Sequence, residues 1–207
     1  MVKAIIGLPF LTHDAQAYFS RAFEFSRQFF FKWTVNWRFV GEERFLSTEF
    51  SGFLLALHIS LLILFVTTRW LKPTRQSLAE TVRAVLSPSS IPPEKHSVVS
   101  ARITPQFTLT TILSAMAIGS LAARSLHYQF YSWIVWTTPF LLWRAGAHPI
   151  LQYALFFAQE WAWNVYPSTD TSSAVVVFVL ATTVAMLWNG TAKDDGSDAS
   201  SKHQHVE

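Results

Sequence analysis

Phe50-Ser51-Gly52-Phe53-Leu54-Leu55-Ala56-Leu57-His58-Ile59-Ser60-Leu61-Leu62-Ile63-Leu64-Phe65-Val66-Thr67-Thr68 is a run of 19 residues without an Asp, Glu, Lys or Arg. As a helix it rises about 28 Å, close to the roughly 30 Å hydrocarbon core of a bilayer. A charged side chain at the bilayer centre costs about 2.5 to 3.5 kcal/mol on insertion scales, so uncharged runs mark candidate spans directly. Four more follow, at 103–123, 125–143, 145–159 and 171–192. Four of the five are long enough to cross. The stretch 145–159, with Pro149 near one end, reads either as a tilted span borrowing Trp161 to Trp163 or as a re-entrant interfacial helix.

Composition agrees with a lipid solvent. The 207 residues are 51% hydrophobic and only 14% charged, well below the roughly 25% charged residues of average soluble chains. The 18 Phe and 9 Trp suit rings that fill a bilayer core and mark its interfaces. A net charge of +3, spread along the chain, excludes a nucleic-acid binder, which needs clustered Lys and Arg. The absence of cysteine removes disulfides, thiol nucleophiles and Cys-ligated metals together.

Between the apolar runs the charges set an order. The segment 4–11 is too short to cross and reads as the last two turns of a spanning helix. Residues 14–49 interleave aromatics and charges, Tyr18, Phe19, Phe23, Phe25, Phe29, Phe30 and Phe31 against Arg21, Glu24, Arg27 and Lys32, and predict an interfacial helix. Residues 69–102 hold six Lys or Arg and the cluster Ser87-Pro88-Ser89-Ser90-Ile91-Pro92-Pro93. A short helix is expected at 78–86, stopped by those prolines. Placing this loop in the cytosol makes five crossings alternate, with 14–49, Arg124 and 166–170 outside and Arg144 and the polar tail from Lys193 inside. The 14–49 segment also carries basic residues, balanced by acidic ones, so charge alone favours this orientation only weakly. The sequon Asn189-Gly190-Thr191 is expected to stay unmodified, and the tail from 194 to be disordered.

Two stretches carry possible chemistry. The first, Phe29 to Phe45, packs aromatics with Lys32, Arg38, Arg44, Glu42 and Glu43, and can hold a sugar by stacking and hydrogen bonds or an anionic headgroup by Arg. Its plainer reading is an interfacial belt. Glu42 and Glu43 are neighbours, and adjacent helical side chains diverge by about 100°, which argues against a shared site. The second, Arg124-Ser125-Leu126-His127-Tyr128-Gln129-Phe130-Tyr131-Ser132-Trp133, opens the third apolar run. On a helix Arg124, His127 and Tyr131 share one face and could grip a lipid phosphate. The plainer alternative is a snorkelling Arg124 with the others packed between helices. His58 is expected to hydrogen-bond a neighbouring helix, and Ala115 and Gly119 with Ser114 and Ser120 to form a close-packing patch. Glu160 and Asp170 are carboxylates within possible reach of a substrate. No phosphate-binding glycine loop, Ser-His-Asp set or paired-histidine metal motif is present.

Lys32-Trp33-Thr34-Val35-Asn36-Trp37-Arg38-Phe39-Val40 with Glu42-Glu43, the stretch 54–58, the stretch 124–133, Pro139-Phe140-Leu141-Leu142-Trp143 and Gln159-Glu160-Trp161-Ala162-Trp163-Asn164-Val165-Tyr166-Pro167 resemble the endoplasmic-reticulum dolichyl-phosphate-mannose-dependent alpha-1,3-mannosyltransferases of asparagine-linked glycosylation. The match covers nearly everything before the tail. It implies an all-α, polytopic transmembrane helical bundle of GT-C type, represented in part, with about five spans plus a luminal interfacial helix. In that reading residues 1–192 form the transmembrane region, with 12–49 luminal and 69–105 cytosolic, and 193–207 the polar tail.

The resemblance further implies a multi-pass endoplasmic-reticulum protein. It would transfer mannose from dolichyl-phosphate-mannose to a pentamannosyl, diphosphodolichol-linked oligosaccharide, with inversion, among membrane lipids and without a cofactor, metal or nucleic acid. Trp37, Arg38, Glu42, Arg124, His127, Gln129 and Tyr131 are then the candidate substrate contacts, Arg124 and His127 stabilising the leaving phosphate. The chain looks like the C-terminal half of such an enzyme, and the acidic base expected in an early luminal loop falls before anything that aligns. The alternative is a noncatalytic membrane scaffold or partner subunit of the glycosylation machinery. A transporter is weaker, since only His58 lies deep in a run.

Overall fold

The computed structural model describes residues 2–22, 30–74, 76–87, 100 and 103–193. Among them every regular element is helical. The chain divides into two units, Met1–Phe30 and Phe31–Glu207.

The first unit is one helix, α1 (Val2–Ala22), broken at Asp14 (φ −154°, ψ 91°). There the Asp14 carboxylate accepts from the Ala17 N–H at 2.9 Å, starting a fresh turn as a capping residue does. The break separates the apolar stub expected at 4–11 from the exposed aromatics Tyr18 and Phe19. Phe23, Phe25 and Phe29 of the expected interfacial stripe lie outside the described residues.

The second unit opens with a departure from expectation. Residues 30–47 form no continuous interfacial helix but two tight turns, Phe31–Trp33 and Arg38–Val40, and the short α2 (Glu42–Leu46). Trp37 at φ 56° and Gly41 at φ 84° reverse the chain twice, and no α-helix carries such residues inside it. Then come α3 (Thr48–Phe65), α4 (Leu78–Leu86), α5 (Pro105–Ala122), α6 (Tyr131–Arg144), α7 (Pro149–Asn164) and α8 (Asp170–Gly190). Except for α6, each start is written locally. Ser47, Ser77, Thr104 and Thr169 accept from backbone N–H groups three residues on, and Pro105 and Pro149 sit where a missing N–H costs nothing.

α8 is the central helix, packed on α5, α6 and α7, while α3 lies against α5. Ile118, Leu121, Ile134, Leu141, Val176 and Leu180 make the shared core. Two helices among the described residues are long and apolar enough to cross a membrane: Thr48–Thr74, which is α3 with a π-helical turn (Val66–Trp70) and its continuation, and α8. That is fewer than the four runs that length alone admitted. The run 125–143 yields only the 14 residues of α6, about 21 Å of rise, because its first six residues are loop and a 3-10 turn. The run 145–159 extends as α7 through Trp161 to Trp163, 16 residues in all, and is not one of the two helices long and apolar enough to cross.

The small-residue patch serves the α3–α5 seam. A methyl added at Gly119 would stand 3.9 Å from His58 Nε2, and buried Ser114 accepts from the Trp70 indole at 3.2 Å. The hydrogen bond to a neighbouring helix expected of His58 is not found among the described residues; its imidazole packs over Gly119 instead. At the far end of the bundle from Thr48, Arg69 Nε and Nη2 donate to the Trp188 carbonyl at 2.8 and 2.6 Å, and its guanidinium lies 4.7 Å from the Trp188 ring. Lys72 donates to the Ala192 carbonyl. Cations of the α3 extension thus satisfy carbonyls that the C-terminus of α8 leaves without helical partners. The prolines 88–93 and the tail 194–207 lie outside the described residues.

Candidate functional site

Thr34, Val35 and Asn36 are buried at the C-terminal end of α5. Asn36 Nδ2 donates to the Ala123 carbonyl at 2.6 Å, its Oδ1 accepts from Leu126 N–H at 2.7 Å and from Thr34 Oγ1 at 2.9 Å, and Val35 N–H donates to Leu126 O at 2.9 Å. The Trp37 indole donates to Leu121 O at 3.1 Å. A helix leaves its last carbonyls unpaired, and this segment is the plug that pairs them. Half of the aromatic stretch is therefore structural, a role its composition did not reveal. Asn36 and Ser173, whose hydroxyl accepts from Arg38 N–H at 2.7 Å, were not among the sequence candidates.

From that plug two arginines are aimed. The Arg38 guanidinium lies 4.7 Å from the Phe31 ring and its Nε 3.8 Å from the Asp170 carboxylate in the first turn of α8. Arg124 donates through Nε and Nη2 to the Phe45 carbonyl at 3.2 and 2.9 Å and lies 5.6 Å from the Phe45 ring. Phe31 and Phe45 meet edge to face at 5.4 Å. Arg38 and Arg124 thus bracket a pair of rings, cation–ring–ring–cation, at the end of the bundle where α3 and α8 begin.

The expectation that Arg124, His127 and Tyr131 share a helical face is corrected. Residues 125–127 are loop, with His127 extended, and α6 starts only at Tyr131. The three side chains go to different places: Arg124 to Phe45 O, His127 Nδ1 to Trp33 O at 3.1 Å, and Tyr131 to the Glu160 carboxylate. Tyr131 also stacks on Trp163 at 5.3 Å, and Asn164 donates to the other Glu160 oxygen at 3.0 Å, which ties Glu160 into an α6–α7 seam. Gln129 is exposed in the connecting turn. Tyr128 donates to Val165 O at 2.7 Å, and burial is the main cause that lifts its phenol above the ordinary value, so it stays a donor.

Beside α2 lies an open cavity of about 890 Å³ lined by Trp37, Val40, Gly41, Glu42, Glu43, Arg44, Ser47, Glu49, Phe50 and Phe53. Its ring wall is continuous, Trp37 against Phe50 at 5.7 Å and Phe50 stacked on Phe53 at 6.3 Å. Both Glu42 and Glu43 line it. Adjacency did not divide them, because α2 is only five residues long and both sit in its first turn beside the cavity. Three carboxylates, one guanidinium and aromatic faces are a surface for neutral hydroxyl-rich ligands: rings stack on the aromatics and hydroxyls donate to carboxylates. Among the described residues no group of carboxylates and histidines is arranged to hold a metal.

Fold and site together define, among the described residues, an all-helical bundle with two helices long and apolar enough to cross a bilayer and a cavity lined by carboxylates and aromatic rings at one end. A family model described as ALG3 protein matches residues 1–173, and the chain belongs to that family. It is 56% identical over 212 residues to the Dol-P-Man:Man(5)GlcNAc(2)-PP-Dol alpha-1,3-mannosyltransferase of Neurospora crassa, covering 100% of this chain and 48% of that protein. The proteins of the same name from Meyerozyma guilliermondii and Homo sapiens are 42% and 38% identical over 200 and 207 residues, covering 91% and 99% of this chain and 42% and 45% of theirs. The chain spans about half the length of the curated relatives it matches. No solved structure matches it. The resemblance drawn from the aromatic strings is thereby borne out.

Proposed function

We propose that the chain is part of a dolichyl-phosphate-mannose-dependent alpha-1,3-mannosyltransferase that extends a pentamannosyl, diphosphodolichol-linked glycan in the endoplasmic-reticulum lumen, as a multi-pass membrane protein. The observation that carries the reading is identity of 38 to 56% to enzymes of that name across essentially the whole chain. The cavity supports it chemically. Its carboxylates outnumber its one arginine, so it suits the uncharged mannoses of the acceptor rather than a phosphate, with Trp37, Phe50 and Phe53 as stacking faces and Glu42, Glu43 and Glu49 as acceptors for sugar hydroxyls.

Arg38 and Arg124 stand outside the cavity lining on either side of the Phe31–Phe45 pair, where permanent charge would favour the developing phosphate of the departing dolichyl phosphate. His127 reinforces this side as a hydrogen-bonded neighbour of Trp33. The reaction inverts the anomeric carbon: the acceptor hydroxyl loses its proton to a carboxylate, its oxygen attacks, and the phosphate departs. None of Asp14, Glu42 or Asp170 is assigned as that base.

The test is a chimera in which this chain replaces its matching stretch of the Neurospora crassa relative, expressed in cells lacking the activity. Six-mannose lipid-linked glycan is the expected product. Persistent five-mannose glycan with the chimera present in membranes would overturn the reading.

A further inference from the structure

α4 is an amphipathic helix whose apolar side is left uncovered among the described residues. Leu78, Val82 and Leu86 recur every four residues and are 45%, 48% and 79% exposed. Glu80, Arg83 and Ala84 lie around the rest of the helix. Its first turn is fixed locally by a complete capping box between Ser77 and Glu80. Nine residues are fewer than the roughly 12 to 15 that an isolated helix needs in water, so the stripe needs a surface to cover it.

The chain itself says where that surface is. The helix suited to cross the membrane ends at Thr74, and α4 starts at Leu78. Four residues reach at most about 14 Å, so the start of α4 is held close to the plane where α3 leaves the bilayer. Lys72 and Arg83 flank it with positive charge, which suits lipid phosphates.

We propose that α4 is a lipid-binding helix, lying in the membrane interface on the face opposite the cavity, with Leu78, Val82 and Leu86 turned into the boundary between headgroups and acyl chains. A helix with one apolar stripe, a charged remainder and a tether to a span is the arrangement that partitions to this depth. The occupant is the bilayer of the protein's own membrane, and it holds α4 against that surface.

Because the sequence has no cysteine, single cysteines report cleanly. The full chain is reconstituted in phosphatidylcholine–phosphatidylserine vesicles with an environment-sensitive fluorophore at Val82→Cys, Ala84→Cys or, within α3, Ile63→Cys. The expected result is quenching at positions 82 and 63 by a nitroxide carried on the lipid, several-fold stronger than by aqueous iodide, with the reverse preference at 84. Val82→Glu, which leaves the capping box intact, should make the probe at 84 no more protected while releasing limited proteolysis within the loop. Three outcomes would overturn the proposal: a probe at 82 open to iodide, one at 82 shielded from iodide and lipid quencher alike, which would mean a protein cover, or one at 63 that the lipid quencher does not reach.

Discussion

Asn36 shows how much one amide does in this molecule: with three hydrogen bonds it joins the Thr34–Trp37 plug to the end of α5 and the start of the next connection. Replacing it with Ala leaves the Leu126 N–H and the Ala123 carbonyl without those bonds in a buried setting, at about 1 to 3 kcal/mol for each stranded group. Asn36→Ala should therefore lower the thermal midpoint in detergent by many degrees; an unchanged midpoint would remove the plug's structural role. Glu42 sits instead at the cavity surface. In the chimera Glu42→Gln keeps shape but loses the charged acceptor, and a hydrogen bond to a charged group contributes about 1.5 to 3 kcal/mol. KM for the acceptor glycan should rise roughly tenfold or more, with KM for the mannose donor unchanged. A shift in donor KM alone would reassign the cavity. At this scale the sequence was partly legible. Trp37, Arg38 and Glu42 were singled out through the family resemblance, and the structure brings Trp37 and Glu42 to one cavity with Arg38 nearby. Asn36 and Ser173 were not picked out, because an ordinary amide and hydroxyl gain meaning only from their backbone partners, a carbonyl 87 positions away and an N–H 135 positions away in sequence.

Helices were the most legible level. The sites of α3, α5, α7 and α8 follow from uncharged runs, and α4 was placed at 78–86 from its pattern and the prolines beyond it. The misreadings arose where the chain's hydrogen bonds run to distant partners. Residues 30–47 turn on Trp37 and Gly41 because their polar groups pair with α5 and α8, and 125–127 stay loop for the same reason. Close packing can be probed at the α3–α5 seam. Gly119→Leu must push the His58 imidazole aside, and overpacking typically costs about 1 to 3 kcal/mol. Gly119→Ala, whose methyl meets His58 at an ordinary 3.9 Å, should be tolerated. Comparable losses in both variants, read from thermal unfolding in detergent, would contradict the seam. Thr104→Ala removes the cap on Phe107 N–H and should cost about 1 kcal/mol by the same measurement.

At the scale of the whole molecule, the proposed orientation puts the cavity in the lumen and the end of α8 in the cytosol. Asn189 in its sequon should then carry no glycan, and endoglycosidase treatment should leave the electrophoretic mobility of the expressed chain unchanged; a mobility shift would reverse the orientation. Arg69 and Lys72 anchor the end of α8 to the extension of α3, and the Gly190 backbone comes so near Ala145 that a methyl there would collide with the Ala145 oxygen. Sliding α8 lengthwise would break all of these contacts together, whereas swinging it about them breaks none. That end of α8 is therefore fixed lengthwise, and any parting of α8 from its neighbours would open widest at the opposite rim, beside the cavity.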